Sequence, residues 1–292
     1  MPHDPSLDPY AILRTLRVQR IHAVAPISGG SDTALWRVEH DGVISALRVF
    51  RSNQAQVCLR EMQALELAAA HSIPVPQARA HGYWHDCPAV LLSWLPGEPL
   101  ATRLQRQPWR MVRFGRAFGQ MQARIHHIIA QPFADEAPTD WITWYQAVDS
   151  ELAAQLRRLA TQSPRLLHLD YHPLNVMVDH VGVSGVLDWA NVQTGDPRAD
   201  VARTYTILVV EPHHAAREPL WYRVARRILA KTWLVGYQSI AGDLRDMPPF
   251  FAWAGLVMQA DLAPRVDNPN SWWRPQHLAA VQRWTQQWRE RV

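Results

Sequence analysis

The stretch Leu166–Asp200, LLHLDYHPLNVMVDHVGVSGVLDWANVQTGDPRAD, gathers more side chains capable of chemistry than the rest of the chain. His168, Asp170 and Asn175 stand in an H-x-D-x-x-x-x-N spacing, and Asp188 closes a short apolar run, Val183–Leu187. A first apolar run, Asn175–Val178, is followed by a turn at Asp179–Gly182. This pattern reads as loop, strand, hairpin turn, strand. Each strand is about four to five residues at ~3.4 Å each, so an antiparallel return sets Asn175 and Asp188 side by side. An amide oxygen and a carboxylate with open positions suit Mg²⁺, which takes few protein ligands and fills its shell with water and phosphate oxygens. Asp170, on the loop just before, is then free to accept a proton from a hydroxyl. Base, Asn on a metal and Asp on a metal are the parts of phosphoryl transfer.

Two other readings use the same residues. His, Asp and Asn in a loop can cap helices and close turns, but turn chemistry does not require two apolar strands between the polar groups. His168-x-Asp170-x-His172 has the spacing of a hydrolase metal site. The doublets His126–His127 and His213–His214 could complete it, but both lie in helical-looking segments without a further acidic partner.

HLDYHPLNV, GVLDW and GDPRAD together resemble the aminoglycoside phosphotransferase / choline kinase family, small-molecule kinases with a fold like that of protein kinases. The resemblance implies Asp170 as catalytic base, Asn175 and Asp188 as Mg²⁺ ligands, His168 as a support of the loop and Asp200 as its stabiliser from the following helix.

The elements that must position these groups follow from the chain in order. Asp8–Gln19 reads as a short amphipathic helix with Pro9 in its first turn. Ile21–Pro26, Ala34–Glu39 and Val43–Phe50 read as a three-stranded meander, with a hairpin signal at Asp41-Gly42. Ile27-Ser28-Gly29-Gly30-Ser31 joins the first two strands, and Gly29, Gly30 and Ser31 are candidates to let backbone N–H groups approach a phosphate. Ala46–Phe50 occupies the place where kinase-like chains carry a strand lysine over the phosphates, but the residue is Arg48. Lys231 is the only lysine of the chain, and an arginine's planar fork does not replace a compact ammonium. Gln54–His71 reads as a helix, and the resemblance makes its Glu61 the partner of the strand cation. Pro74 and Pro76 end that region, and Ala78–Tyr83 and Ala89–Trp94 complete a five-stranded sheet packed by one helix. Ser93-Trp94-Leu95-Pro96-Gly97 is read as a hinge. By resemblance, backbone groups at Ser93, Trp94 and Leu95 pair with the adenine edge.

Beyond Pro99 the chain turns helical, with runs at Trp109–Ala130 and Trp141–Ala160 before the catalytic stretch and Val201–Val210 after it. The interval between Asp188 and that last helix is too short for a peptide-binding activation segment, which argues for a small-molecule acceptor. Trp221–Val292 reads as all-helical and holds seven of the fourteen tryptophans. Aromatic walls favour a ring-bearing acceptor, although core packing is the commoner use of Trp. From Tyr205 onward seven acids face eleven Lys and Arg, which weighs against a polycationic aminoglycoside.

Composition bounds the rest. The 292 residues, 48% hydrophobic, suffice for one two-lobed domain. No apolar run approaches the ~20 residues of a membrane span. The net charge of +4 is spread along the chain with no basic arm, which excludes an obvious nucleic-acid binder. Two cysteines make no disulfide framework, and the first residues carry no basic leader. The expectation is a cytoplasmic α+β protein of the kinase-like type. Residues 1–95 form a nucleotide-binding N-lobe, and 96–292 a mainly helical C-lobe with the catalytic loop, metal site and acceptor region. Its partners would be ATP with Mg²⁺ and a small hydroxylated acceptor, with no nucleic acid and no membrane, in a monomer or homodimer. The competing expectation, motivated by Arg48 and the short glycine turn, is a kinase-like module that binds nucleotide without turnover.

Overall fold

The computed structural model describes residues 7–27, 33–131, 133, 141–144, 148–161, 163–210, 220–268 and 273–292, with side chains from 224 onward in the helix that opens at 220. Two compact units make up the chain. One is Met1–Gly97 with Ser184–Ala190, and the other is Glu98–Val183 with Asn191–Val292.

The first unit opens with α1, Pro9–Thr15, where Asp8 caps the helix by accepting from the Tyr10 N–H at 2.9 Å. The helix is shorter than the Asp8–Gln19 run suggests, because Arg17 adopts φ 59° and the Val18 N–H turns back to the Leu13 carbonyl. Strands β1 (Ile21–Pro26), β2 (Ala34–His40) and β3 (Val43–Val49) form the expected meander. Asp41 and Gly42 both take positive φ in the β2–β3 turn, as a two-residue hairpin of this type demands. After α2 (Ala55–Ala70) come β4 (Ala78–Trp84) and β5 (Cys87–Ser93), which complete an antiparallel sheet in the order β1-β2-β3-β5-β4. One face closes on Ile12 and Leu13 of α1 with Val38, Leu47, Val49 and Leu91 of the sheet. Each such burial contributes roughly 1.5–3 kcal/mol. On α2 the buried stripe is Cys58, Glu61, Ala64, Leu65 and Ala68. A carboxylate in that stripe cannot remain there without partners.

In the second unit β6 (Glu98–Pro99) leads into α3 (Leu100–Arg106). Helix α4 (Met111–Ile125) follows a 3-10 turn at Pro108–Arg110. The helix expected over Trp109–Ala130 thus ends five residues early. Ile128 and Ala130 leave it to pair with the strand β7 (Arg165–Leu167), where the Leu166 N–H donates to the Ile128 carbonyl. The run Trp141–Ala160 also divides. Trp141–Thr143 is a 3-10 turn, and α5 (Ser150–Leu159) starts at Asp149, whose side chain accepts from the Leu152 N–H. Strand β8 (Val176–Val178) pairs with β6, and β9 (Val183–Val186) is where the chain passes to the first unit. Strand β10 (Gln193–Gly195) then pairs antiparallel with β7.

Helix α6 runs Pro197–Val210, one turn earlier than the apolar run suggested, because Pro197 is preorganised for a first helical position. Helices α7 (Leu220–Ala241), α8 (Pro248–Val266) and α9 (Pro275–Arg289) make the tail helical as expected. Helices α4 and α7 touch backbone to backbone. A Cβ on Gly119 would lie 1.9 Å from the Trp233 carbonyl oxygen, so only glycine fits. Trp233 and Trp253 are fully buried and Trp273 is nearly so, which makes these three tail tryptophans core. Trp284 and Trp288 are half-buried, while Trp221 and Trp272 lie outside the described side chains. No described helix is long and apolar enough to cross a membrane.

Candidate active site

The loop after β7 is shaped by one face of α6. Asp200, Arg203 and Thr204 stand at i, i+3 and i+4, so they share that face, and all three are buried. Asp200 accepts from the backbone N–H groups of His168 and Leu169, each at 2.9 Å. Arg203 Nε donates to the Leu169 carbonyl at 3.3 Å. The Thr204 hydroxyl donates to the Tyr171 carbonyl at 3.0 Å. Leu169 is held at φ 59°, a left-handed conformation that costs a β-carbon-bearing residue about 1–2 kcal/mol. The side chains of α6 offset that strain.

A second layer fixes Asp200 and Thr204. His126 Nε2 meets Asp200 at 2.9 Å, and its Nδ1 meets the Tyr237 hydroxyl at 2.8 Å. Both ring nitrogens are thereby engaged, so His126 is a support for Asp200 and not a metal ligand. Gln122 donates to the Thr204 oxygen and accepts from the Trp233 indole N–H, both at 2.9 Å. The Tyr171 hydroxyl donates to the Phe118 carbonyl at 2.8 Å, and its ring stacks on Phe118 with centroids 4.6 Å apart. Burial raises the Asp200 carboxyl, but the hydrogen bond and charge of His126, the charge of His168 and the loop N–H groups hold it below the usual range. Burial drives the Tyr171 and Tyr237 hydroxyls up, so both stay protonated.

On this base sits Asp170. Its side chain is 28% exposed, with His172 Nε2 at 3.7 Å, an ion-pair distance. Burial raises its carboxyl, but His172, Arg203 and His168 outweigh burial and hold Asp170 well below the ordinary carboxylate range. Its own N–H reaches His168 Nδ1 at 3.3 Å. Asn175 donates from Nδ2 to the Asp170 carbonyl at 3.0 Å and to its Oδ2 at 3.2 Å. The amide oxygen of Asn175 is therefore directed away from Asp170. An amide oxygen is a hard donor of the kind that suits a magnesium ion.

In the first unit, Arg48 of β3 uses three nitrogens. Nε donates to the Thr33 hydroxyl at 3.1 Å, Nη1 to Glu61 Oε1 at 2.6 Å and Nη2 to Asp188 Oδ1 at 3.0 Å. A lysine, with one nitrogen, could not span those three sites. The guanidinium also lies over the Phe50 ring, 4.9 Å from its centroid. Burial lowers the Arg48 pKa, but Glu61 and Asp188 more than reverse this and keep it charged. Burial pushes the Glu61 carboxyl up to about 7, with Asp188 adding and Arg48 opposing. Glu61 Oε1 also accepts from the Trp189 N–H at 3.3 Å, while Oε2 is buried without a partner. Asp188 takes φ 59° and keeps 44% of its side chain exposed, so its carboxylate is open to a ligand. That exposed oxygen donor likewise fits Mg²⁺.

The remaining expected residues are less engaged. Gly29, Gly30 and Ser31 lie outside the described residues. Ser93 ends β5 with its N–H on the Gln77 carbonyl at 2.8 Å and its hydroxyl accepting from Gln77 N–H at 2.9 Å. Trp94 is 39% exposed, and Leu95 packs on Gly185, where a Cβ would come within 2.3 Å. Sequence reasoning missed Thr33, His126, Tyr237, Arg203 and Thr204. The i, i+3, i+4 spacing of Asp200, Arg203 and Thr204 was the signal available for two of them.

Residues 23–233 match the family model described as the phosphotransferase enzyme family. Among solved structures, the fold is similar to that of aminoglycoside phosphotransferase APH(4)-Ia, with a TM-score of 0.67 at 14% identity over 94% of this chain and 97% of that one. A putative fructosamine-3-kinase from Haemophilus somnus 129PT gives a TM-score of 0.65 at 15% identity, over 92% and 91% of the two chains. The macrolide 2'-phosphotransferase MphH from Brachybacterium faecium gives 0.55 at 17% identity, over 93% and 95%. No curated protein sequence matches the chain significantly.

Proposed function

Since this chain belongs to the phosphotransferase enzyme family, we propose that it moves the γ-phosphoryl group of ATP to a hydroxyl of a small, ring-bearing molecule. The observation that carries the reading is the loop His168–Asn175. A partly exposed carboxylate, ionised throughout the neutral range, stands on a backbone fixed at both peptide groups of Leu169. Asp170 accepts the proton as the acceptor oxygen attacks. Because the transition state of phosphoryl transfer is loose, most of the catalysis rests on positioning and charge.

In this reading Arg48, oriented by Glu61 and by the Thr33 hydroxyl, meets the α- and β-phosphates, and Gly29, Gly30 and Ser31 cover them. The backbone at Ser93, Trp94 and Leu95 faces the adenine. Asn175 and Asp188 would hold Mg²⁺, which neutralises phosphate charge when bound. Residues 1–95 serve the nucleotide, and 96–292 serve catalysis and the acceptor. Asp188 comes from the short segment that groups with the first unit.

The acceptor class rests on charge and on the solved relatives. A structure of APH(4)-Ia carries ADP and hygromycin B, and the other relatives are named for macrolides and fructosamines. The tail of this chain has eleven basic residues against seven acids, which disfavours a polycation and favours a neutral or weakly basic ring alcohol. The test is a coupled ADP assay over hygromycin B, a macrolide and a fructosamine. A clear preference for the macrolide or fructosamine supports this acceptor class, and a preference for hygromycin B overturns it.

A further inference from the structure

The polar face of α6 contains one group that the proposed chemistry does not use. Arg203 is 3% exposed, and its Nη1 is buried without a hydrogen-bond partner. Its one hydrogen bond to the catalytic loop runs from Nε to the Leu169 carbonyl at 3.3 Å. Among the described residues no carboxylate pairs with it. A buried, unpaired cation is costly, and native structures retain such a group where it does something else.

Its place says what that is. The Leu169 carbonyl belongs to the peptide plane that joins Leu169 to Asp170. Asp200 grips the other side of the residue through the Leu169 N–H at 2.9 Å. With only the N–H held, the following peptide is free to rotate about the Leu169 Cα–C bond, and that rotation swings the Asp170 side chain. Leu169 sits at φ 59°, away from its relaxed conformations, so a released peptide has somewhere to go.

We propose that Arg203 is a positioning residue of the transfer reaction, which sets the direction of Asp170 through the Leu169 carbonyl. The inference rests on the reading of Asp170 as the base. It differs from the support by Asp200 because it acts on the C=O side of Leu169.

The experiment uses the full chain and two readouts. The first is phosphate release from ATP with Mg²⁺, measured beside ATP affinity by calorimetry. In Arg203→Ala the turnover rate falls by about 10²-fold, the effect of misplacing a reacting group by about 1 Å, while ATP affinity is unchanged. Added guanidinium chloride, below denaturing concentration, fills the vacated site and restores part of the lost rate. The same addition does nothing for Asp170→Asn. Arg203→Met preserves side-chain volume and replaces the alanine variant should that one fail to fold. The second readout is amide hydrogen exchange across residues 168–171, which needs no turnover. Removal of the guanidinium speeds exchange there, and guanidinium chloride slows it again.

Wild-type turnover in Arg203→Met, or a loss of rate accompanied by equal weakening of ATP binding, overturns the proposal. If the wild-type chain neither releases phosphate nor forms ADP with hygromycin B, a macrolide or a fructosamine as acceptor, the reading as a kinase fails by itself. Unchanged exchange at 168–171 in the variant then removes Arg203 as a support of the loop as well.

Discussion

The two polar centres of the molecule are built in opposite ways. The loop Leu167–Tyr171 lies on a stack of hydrogen bonds that is satisfied except at Arg203 Nη1, from Asp200 and Thr204 back through His126, Tyr237, Gln122 and Trp233. The centre at Arg48 has three bonds radiating from one guanidinium, a carboxylate with an unpartnered buried oxygen and a second carboxylate open to solvent. A satisfied buried network specifies one geometry whether or not a ligand is present. A half-satisfied one is completed by what binds to it. On the proposed reading, the contrast teaches that the base is preorganised, while the nucleotide side is left to be finished by phosphate and cation.

Breaking the loop side should have the larger effects. Asp170→Asn removes the base and should lower turnover by roughly 10²–10⁴-fold, with ATP affinity unchanged, as read by a coupled ADP assay and calorimetry. Asp200→Ala leaves His126 Nε2 and two loop N–H groups unpaired in the core. Removing one partner of a buried pair costs about 3–5 kcal/mol, which chemical denaturation measures. The same carboxyl gives a pH signature. Its folded pKa lies below its unfolded value, so the stability it adds is full above pH ~4 and drains as pH falls through the lower, folded value. Asp200→Asn should therefore flatten the fall of Tm with acid below pH ~4, and a parallel fall in both proteins would argue against this assignment.

The nucleotide side should break more mildly. Arg48→Ala removes hydrogen bonds between charged groups, each worth about 1.5–3 kcal/mol, and should weaken ATP binding by roughly ten- to a hundredfold. It also leaves Glu61 without its cation, so the Glu61 carboxyl should rise further above about 7. Arg48→Lys should recover only part of the affinity, since one nitrogen cannot reach Thr33, Glu61 and Asp188 together. Thr33→Val loses a single hydrogen bond of about 1 kcal/mol and should change ATP affinity by no more than about fivefold. A Thr33→Val effect as large as that of Arg48→Ala would erase the distinction drawn here.

The same contrast explains what could be read from the sequence. The polar side chains at the tip of each centre were legible, because Asp170, Asn175 and Asp188 fall between apolar runs of strand length. The five strands and α2 were legible for a related reason. Their apolar alternation and the Asp41-Gly42 turn are local signals. The support beneath the loop was not. His126 and Tyr237 lie far from Asp200 in sequence, and nothing near any one of them marks the other two. Arg203 and Thr204 read as ordinary residues of an apolar helix until the helix face is known. Helix boundaries failed where a cap or a pairing outweighed periodicity, as with Asp149 before α5 and Ile128–Ala130 after α4. Trp233 and Trp253 could equally have lined a pocket by composition; the backbone contact of α4 with α7 and the core around Phe250 bury them.

The central claim is that Asp170, on a preorganised loop, is the base of an ATP-dependent transfer. The most direct test measures Mg²⁺-dependent ATP binding and ADP formation side by side in the wild-type chain and in Asp170→Asn. The account predicts equal ATP affinity in both and ADP formation in the wild type alone. ADP formation by Asp170→Asn at the wild-type rate, or a wild-type chain that does not bind ATP with Mg²⁺, would contradict it.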